Sequence, residues 1–492
     1  MLIFKMKKMK KLYIKISMII ISLNAFTACS DDFVNVDSND VNSEDFFNSE
    51  EDYQNALIGA YDLLQSTWIN AMLGEIASDN TLAGGESATD VIGIQEIDDM
   101  IHTPVNNDLR GIWGLMFAGI NRTNFILEFQ DKIDFSGKNQ IIAQARFLRA
   151  YYYFELVKWF GDVPLAIDKQ ILFGEESSYE RSPASEVYSL IEQDLMFASD
   201  NLPSVQTEAG RVTKGAAQAL LGKAYLYQEK FSEAAQTLET VIQSGTYSLV
   251  TDYNTIFEAE GENNVESVFE IQYTDVEGAG FGCLQCSEGN VAVGFSGIRN
   301  YEGPDFTSGF SFNVPVQEAY DAFDNDDQRR DIAILDINAW AASTGATFGT
   351  GNEHTGYFNR KYIPRTRSSN ALPDLNLTNP NNYRAIRYAD VLLMAAEANN
   401  RGGLNESKAQ EYLNQVRRRA FGDELHDVTA SGSSLTNAIY LERRLELVGE
   451  GHRFFDLVRT GKAAQEINGF QEGKHELFPI PAIEIQLAGN VW

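Results

Sequence analysis

Few residues of this chain are of types that make and break bonds, and their spacing does not gather them. The five histidines, His102, His354, His426, His452 and His475, are scattered, whereas a triad or a metal centre needs a histidine among carboxylates or further ligands. No His-Glu-x-x-His, Gly-x-Ser-x-Gly, Walker or dinucleotide-binding pattern occurs. Apart from Cys29 the only cysteines are Cys283 and Cys286. Such a pair can be a redox couple, half a zinc site or a small-loop disulfide. No second pair completes a zinc site, and the motif follows Gly280 and Gly282 instead of opening a helix, so a loop disulfide is expected. Glu450, Arg453, Asp456 and Arg459 alternate in sign every three residues. On a helix that spacing is an ion-pair ladder, whereas glycoside hydrolysis needs two carboxylates flanking one bond. The acidic run 321–331 lacks the glycine that a calcium loop needs at its sharp turn, and is expected to be a solvated helix end. No catalytic residue, cofactor or metal site is therefore expected.

Binding without chemistry asks for other residue types. Flat apolar faces suit the C–H groups of a ligand, and carboxylates, amides and guanidinium groups suit its polar groups. Two weakly periodic stretches, about 77–107 and 274–375, supply both, the longer one rich in Gly, Asn and aromatics. Long irregular segments inside a compact protein are usually functional. The candidates are Asp79 and Asn80 after a helix end, Arg299, Tyr301 and Phe306 among glycines, Trp340 in an Ala/Gly/Thr loop, and Arg365, with Arg367 beyond it, after Tyr362. The competing reading of each polar candidate is a turn-former. Trp68, Trp113 and Trp159 lie in helical runs and are expected in the core, with Arg146 and Arg149 as buried or partly buried pairing groups.

The elements that must position these residues are mostly helices in pairs. Residues 43–64, opened by Ser43, and 112–127 carry apolar side chains at helical spacing. Residues 140–160 form a third helix, stopped by Gly161-Asp162-Val163-Pro164, and its partner opens at Ser182-Pro183. Leu221, Gly222, Tyr225, Ala234 and Leu238 match the tetratricopeptide spacing, in which small residues let two antiparallel helices approach. Ala409, Leu413 and Val416 repeat the second-helix spacing after a first helix over 388–399. A last pair spans 435–447 and 452–460. The expected fold is mainly all-α: stacked tetratricopeptide-like hairpins with long irregular insertions.

Charge narrows the ligand. Seventy acidic against 39 basic residues give a formal net charge of −31, which argues against nucleic acid and anionic lipid surfaces. At the N-terminus Lys5, Lys7, Lys8, Lys10 and Lys11 precede a short apolar stretch, 16–26, too short to span a bilayer. The sequence Phe26-Thr27-Ala28-Cys29 resembles a bacterial lipobox, with Phe26 in place of the usual Leu. Residues 1–28 are thus expected to be a signal peptide and Cys29 a lipidated first residue; the alternative is plain secretory cleavage near Ala28. Ser30-Asp31-Asp32 resembles the acidic tag of surface-exposed outer-membrane lipoproteins.

The stretches RFLRAYYYFELVKWFGDVPL (146–165), RYADVLLMAAEANN (387–400) and ERRLELVGEGHRFFDLVRTG (442–461), supported by WGLMFAGINRTN (113–124) and LFPIPAIEI (477–485), resemble the SusD/RagB family of Bacteroidetes nutrient-uptake lipoproteins. The family's Asn-Pro-Gly-Tyr-like tail has no counterpart before Trp492. The resemblance implies one domain over 29–492 on a tetratricopeptide-like scaffold. It also implies a surface lipoprotein that caps a TonB-dependent outer-membrane barrel and binds oligosaccharide without chemistry. A peptide cargo, as in RagB-like members, is the alternative; a surface glycosidase and a protein-binding scaffold are the more distant ones.

Overall fold

The computed structural model describes residues 46–278, 280–365, 367–369 and 372–492. The signal peptide, Cys29, the acidic tag and Ser43 lie outside them. Contacts divide the chain into Met1–Ser49 and a large unit, Glu50–Trp492; all that follows concerns the large unit. Among the described residues no helix is long and apolar enough to cross a membrane.

Helices α1 (Glu50–Asp62) and α2 (Trp68–Ile76) lead to strand β1 (Thr81–Gly84) and the short helix α3 (Ile92–Asp98). Helix α4 (Asn107–Glu128) starts where the Asn106 side chain accepts from the Asp108 and Leu109 amides, an N-cap that satisfies otherwise orphaned donors. Helix α5 (Lys138–Phe160) is buried almost all round, with Phe147, Tyr152, Tyr153 and Trp159 in the core, as a central helix must be. It packs on α4 and on α6 (Ala184–Asn201). Helices α7 (Lys214–Tyr227) and α8 (Phe231–Gln243) form the predicted tetratricopeptide hairpin. A Cβ on Gly222 would stand 2.5 Å from Leu238 Cγ, so the interhelix approach depends on the missing side chain.

Strands β2 (Ser267–Ile271), β3 (Phe312–Pro315) and β4 (Ile334–Asp336), helix α9 (Ile337–Thr344) and strands β5 (Tyr357–Asn359) and β6 (Tyr383–Arg387) punctuate the second irregular stretch and its flanks. The strands pair antiparallel as β1–β3, β2–β6 and β4–β5. The scaffold continues through α10 (Tyr388–Arg401), α11 (Glu406–Phe421), α12 (Gly432–Leu447) and α13 (Arg453–Arg459), and two short helical turns follow. Trp68, Trp113 and Trp159 are buried, as expected.

Arginine–carboxylate networks tie the helices together. Arg149 grips Asp194 through two bonds of 2.7 and 2.9 Å and also donates to Asn124, while Arg146 lies 3.8 Å from the same aspartate. Arg387, fully enclosed, reaches Glu266 (2.6 Å), Glu446 (2.8 Å) and Glu450 (2.8 Å). Burial works against the charge on Glu450, but Arg387 and Lys361 outweigh it and hold the carboxyl below the usual range. The expected ladder on the last helix is therefore corrected. Only Asp456 and Arg459 pair along it, at 2.7 Å. Glu450 precedes the helix and turns inward to Arg387, and Arg453 turns outward to Asp79. The acidic run follows the helical turn Gln317–Asp321 with Asp321, Asp324, Asp326 and Asp331 exposed, as expected of a solvated helix end; Asp327 departs from it, buried and bound to Arg329 at 2.7 Å, because a buried guanidinium needs a buried partner.

Candidate functional site

The two irregular stretches meet. Strand β1 of the first pairs with β3 of the second, Thr81 opposite Pro315 and Gly84 opposite Phe312. Gly84 has φ +74°, and a Cβ there would come within 2.2 Å of Ser311 O, so the crossing requires glycine. Beyond the strand, Gly85 N donates to Ser311 O at 2.8 Å and Asn352 N to Gly85 O at 2.9 Å. Segment 299–302 is held on two sides: Gly309 N donates to Ile298 O, Gly349 N donates to Arg299 O, and Glu302 and Thr347 exchange backbone bonds.

On this frame Tyr301, Phe306 and Trp340 come together. They share a cluster with Ile298, Leu335, Ile337, Phe358 and Ile363, with Phe348 at its edge. The Phe306 ring lies 5.3 Å from Trp340 and 6.0 Å from Tyr301. Trp340 Nε1 donates to Tyr301 Oη at 2.9 Å, and that hydroxyl donates to Pro304 O at 2.7 Å. Tyr301 and Phe306 are buried; Trp340 is half-buried. Trp340 does not stand in a loop, as the surrounding Ala, Ser and Thr suggest. It stands on α9, which Asp336 caps by accepting from Ala339 N and which ends at Gly345 in the left-handed conformation. Those two end signals, Asp before and Gly after, are present in the sequence and outweigh the weak periodicity between them.

Arg299 flanks the cluster. Its Nη2 donates to Phe310 O at 2.9 Å, and the guanidinium faces Glu86 at 3.6 Å and Asp90 at 4.0 Å. Glu86, Asp90 and Phe348 are candidate site residues that sequence reasoning missed. No motif or period marks them, and only the β1–β3 crossing brings the two acids here. Arg365 lies 6.0 Å from the Phe306 ring. It is paired with Glu258 at 2.6 Å and bonded to the carbonyls of Arg360 and Ile363, so it braces the cluster from within. Arg367 donates to Asn376 and Asn379.

Asp79 and Asn80 are placed apart from this cluster, against the last helices. Asp79 takes two bonds from Arg453 (2.7 and 2.8 Å) and one contact from Arg444 (3.1 Å). Asn80 is fully enclosed; its amide donates to Glu75 and its oxygen accepts from Arg444. Asp79 also lines a cavity of about 590 Å³ with Asp98, Glu353, Arg444 and Glu466. Burial pushes the Asp98 carboxyl up to about 7; the Ala83 amide opposes this, and Glu353 and Asp99 add to it. Cys283 and Cys286 form a disulfide, as expected. The histidines are less scattered than the sequence suggests: the rings of His102 and His475 lie 5.4 Å apart.

The chain is similar to known proteins along nearly its whole length. Residues 266–479 match the family described as the SusD family, and residues 32–226 match the one described as starch-binding, associating with the outer membrane. SusD-like protein P2 of Formosa agariphila is 28% identical over 477 residues, covering 91% of this chain and 92% of that protein. A solved laminarin-binding SusD-like protein is 36% identical, covers 90% of this chain and 98% of its own, and superposes with a TM-score of 0.81. Surface glycan-binding protein A from Bacteroides thetaiotaomicron, solved in complex with laminarihexaose, is 28% identical, with coverages of 90% and 98% and a TM-score of 0.79.

Proposed function

Since the chain belongs to the SusD/RagB family, we propose that it is a cell-surface glycan-binding protein that delivers an oligosaccharide of the laminarin class to a TonB-dependent outer-membrane barrel. No bond is broken in this reading. Cys29 carries the lipid that holds the chain on the outer membrane. Similarity to laminarin-binding proteins supports the ligand class. The formal charge of −31 is compatible with a neutral glucan.

The observation that carries the reading is the cluster of Trp340, Tyr301 and Phe306 on the crossing of the two irregular stretches. The indole N–H of Trp340 is already engaged by Tyr301, so what the half-buried ring offers a ligand is apolar surface. Arg299, Glu86 and Asp90 stand beside it with donors and acceptors for hydroxyls. Asp79, Asn80 and Arg365 are assigned to support, because their polar atoms are already paired inside the protein.

Calorimetric titration of the protein with laminarihexaose tests the ligand. Binding in the micromolar range, without release of shorter sugars, is expected. No heat with laminarihexaose but binding of a peptide or another glycan would overturn the ligand class, and release of shorter sugars would overturn the non-enzymatic reading. Co-purification of a barrel from outer membranes tests the partner, and loss of membrane partitioning in Cys29→Ala tests the anchor.

A further inference from the structure

Phe281 is 60% exposed in a chain that encloses most of its aromatic rings, and it is not isolated. Its ring meets Phe310 edge-on at 5.5 Å. Phe310 meets Phe295 at 5.9 Å, and Phe295 meets Trp68 at 5.7 Å. The result is an aromatic column that rises from the core and ends in solvent at Phe281. A large ring left in water forgoes favourable burial, yet this one is braced from beneath.

Two features connect the column to the proposed site and fix its outer end. The carbonyl of Phe310 accepts from Arg299, the same guanidinium that faces Glu86 and Asp90. Arg299 therefore stands between the Phe281–Phe310 pair and the segment that carries Tyr301 and Phe306. Two residues after Phe281, the Cys283–Cys286 disulfide closes a small ring. Around it Cys283 N donates to Gly280 O, Cys286 N donates to Cys283 O, and Ser287 Oγ donates to Leu377 O. A cross-link this local does little for global stability, because its loop is short. What it restricts is the range of positions that Phe281 can take, and preorganised contacts lose less entropy on binding.

We infer that Phe281, backed by Phe310, is an outer stacking subsite that takes a further sugar unit of an oligosaccharide held at Trp340, and that the Cys283–Cys286 disulfide positions it. This rests on the glycan-binding reading of the Trp340 cluster and adds a requirement for ligand length. A short oligosaccharide reaches one aromatic group; a longer one reaches both.

Calorimetric titration of the full chain with laminaritriose and laminarihexaose separates the possibilities. Phe281→Ala is expected to lower affinity for the hexaose about tenfold relative to the triose, and Phe281→Tyr to retain the wild-type ratio. The double variant Cys283→Ser/Cys286→Ser is expected to lower the same ratio by a smaller factor at unchanged Tm. Trp340→Ala is expected to weaken both sugars. An unchanged hexaose-to-triose ratio in Phe281→Ala, with Trp340→Ala still weakening both, overturns the subsite and leaves the main site standing. Failure of Trp340→Ala to weaken either sugar overturns the main site, and the subsite with it.

Discussion

Arg387 and Arg299 each face more than one carboxylate, in two regions built on opposite terms. Arg387 sits in the helical scaffold, enclosed, with Glu266, Glu446 and Glu450 all within 2.8 Å. Arg299 sits where the irregular stretches cross, partly exposed, with its two acids at 3.6 and 4.0 Å. Around Arg387 the three carboxylates brought out of water are answered inside the protein, which leaves little for a ligand. At the crossing the guanidinium keeps only long contacts to its acids, and Glu86 is exposed, so these groups stay open to a ligand. The same side chain thus serves structure or recognition according to how completely its neighbours satisfy it.

The largest test of that contrast is Arg387→Ala. It strips three enclosed carboxylates of their shared partner and should cost about 3–5 kcal/mol, read by urea denaturation; a loss under 1 kcal/mol would mean that the network is slack. Gly222→Leu pushes a side chain into Leu238 and should destabilise by about 1–3 kcal/mol; an unchanged Tm would reject the close hairpin.

The crossing should answer differently. Trp340→Ala should cost about 2 kcal/mol of glycan affinity, roughly thirtyfold. Because the indole also packs on Phe306, some stability goes with it. Asp79→Asn inverts the pattern: affinity for laminarihexaose is retained, while about 1–2 kcal/mol of stability is lost from the Arg444 and Arg453 contacts. If Asp79→Asn abolishes binding with Tm intact, the division between the regions is drawn in the wrong place.

A test of another kind uses pH and concerns Asp98, which lies in the first irregular stretch and whose carboxyl is pushed up to about 7. The folded carboxyl keeps its proton until near neutrality, whereas the unfolded one loses it near pH 4. Between those values the native state holds more protons, so this group makes stability fall as pH rises. Asp98→Asn should flatten the fall in Tm between pH 4.5 and 7.5, and an identical profile in the variant would refute the assignment.

The scaffold was legible in the sequence because its signals are local. Gly222 and Leu238, or Phe160 and the stop at Gly161, lie within one hairpin or at one helix end, where period and capping can be read directly. The proposed binding surface was legible only in part. Tyr301, Phe306 and Trp340 were recognisable as aromatic residues in an irregular stretch, although α9 was hidden between its two end signals. Asp79 looks like any polar loop residue until Arg453 arrives from the far end of the chain. Glu86 and Asp90 carry no signal at all, since Arg299 reaches them only through a strand pairing that local sequence cannot specify.

That pairing also orders events in time. The hairpin α7–α8 closes over a few residues and can form early and alone. Strand β1 must wait for β3, and Thr81 meets Pro315 only after most of the intervening chain has been laid down. Contacts between distant positions form slowly, because loop closure must be offset before they reward it. A folding chain of this kind should therefore acquire its helical body first and its ligand-binding competence last. Hydrogen exchange pulsed during refolding would see protection reach the Leu220 and Leu221 amides before those of Leu82 and Val314.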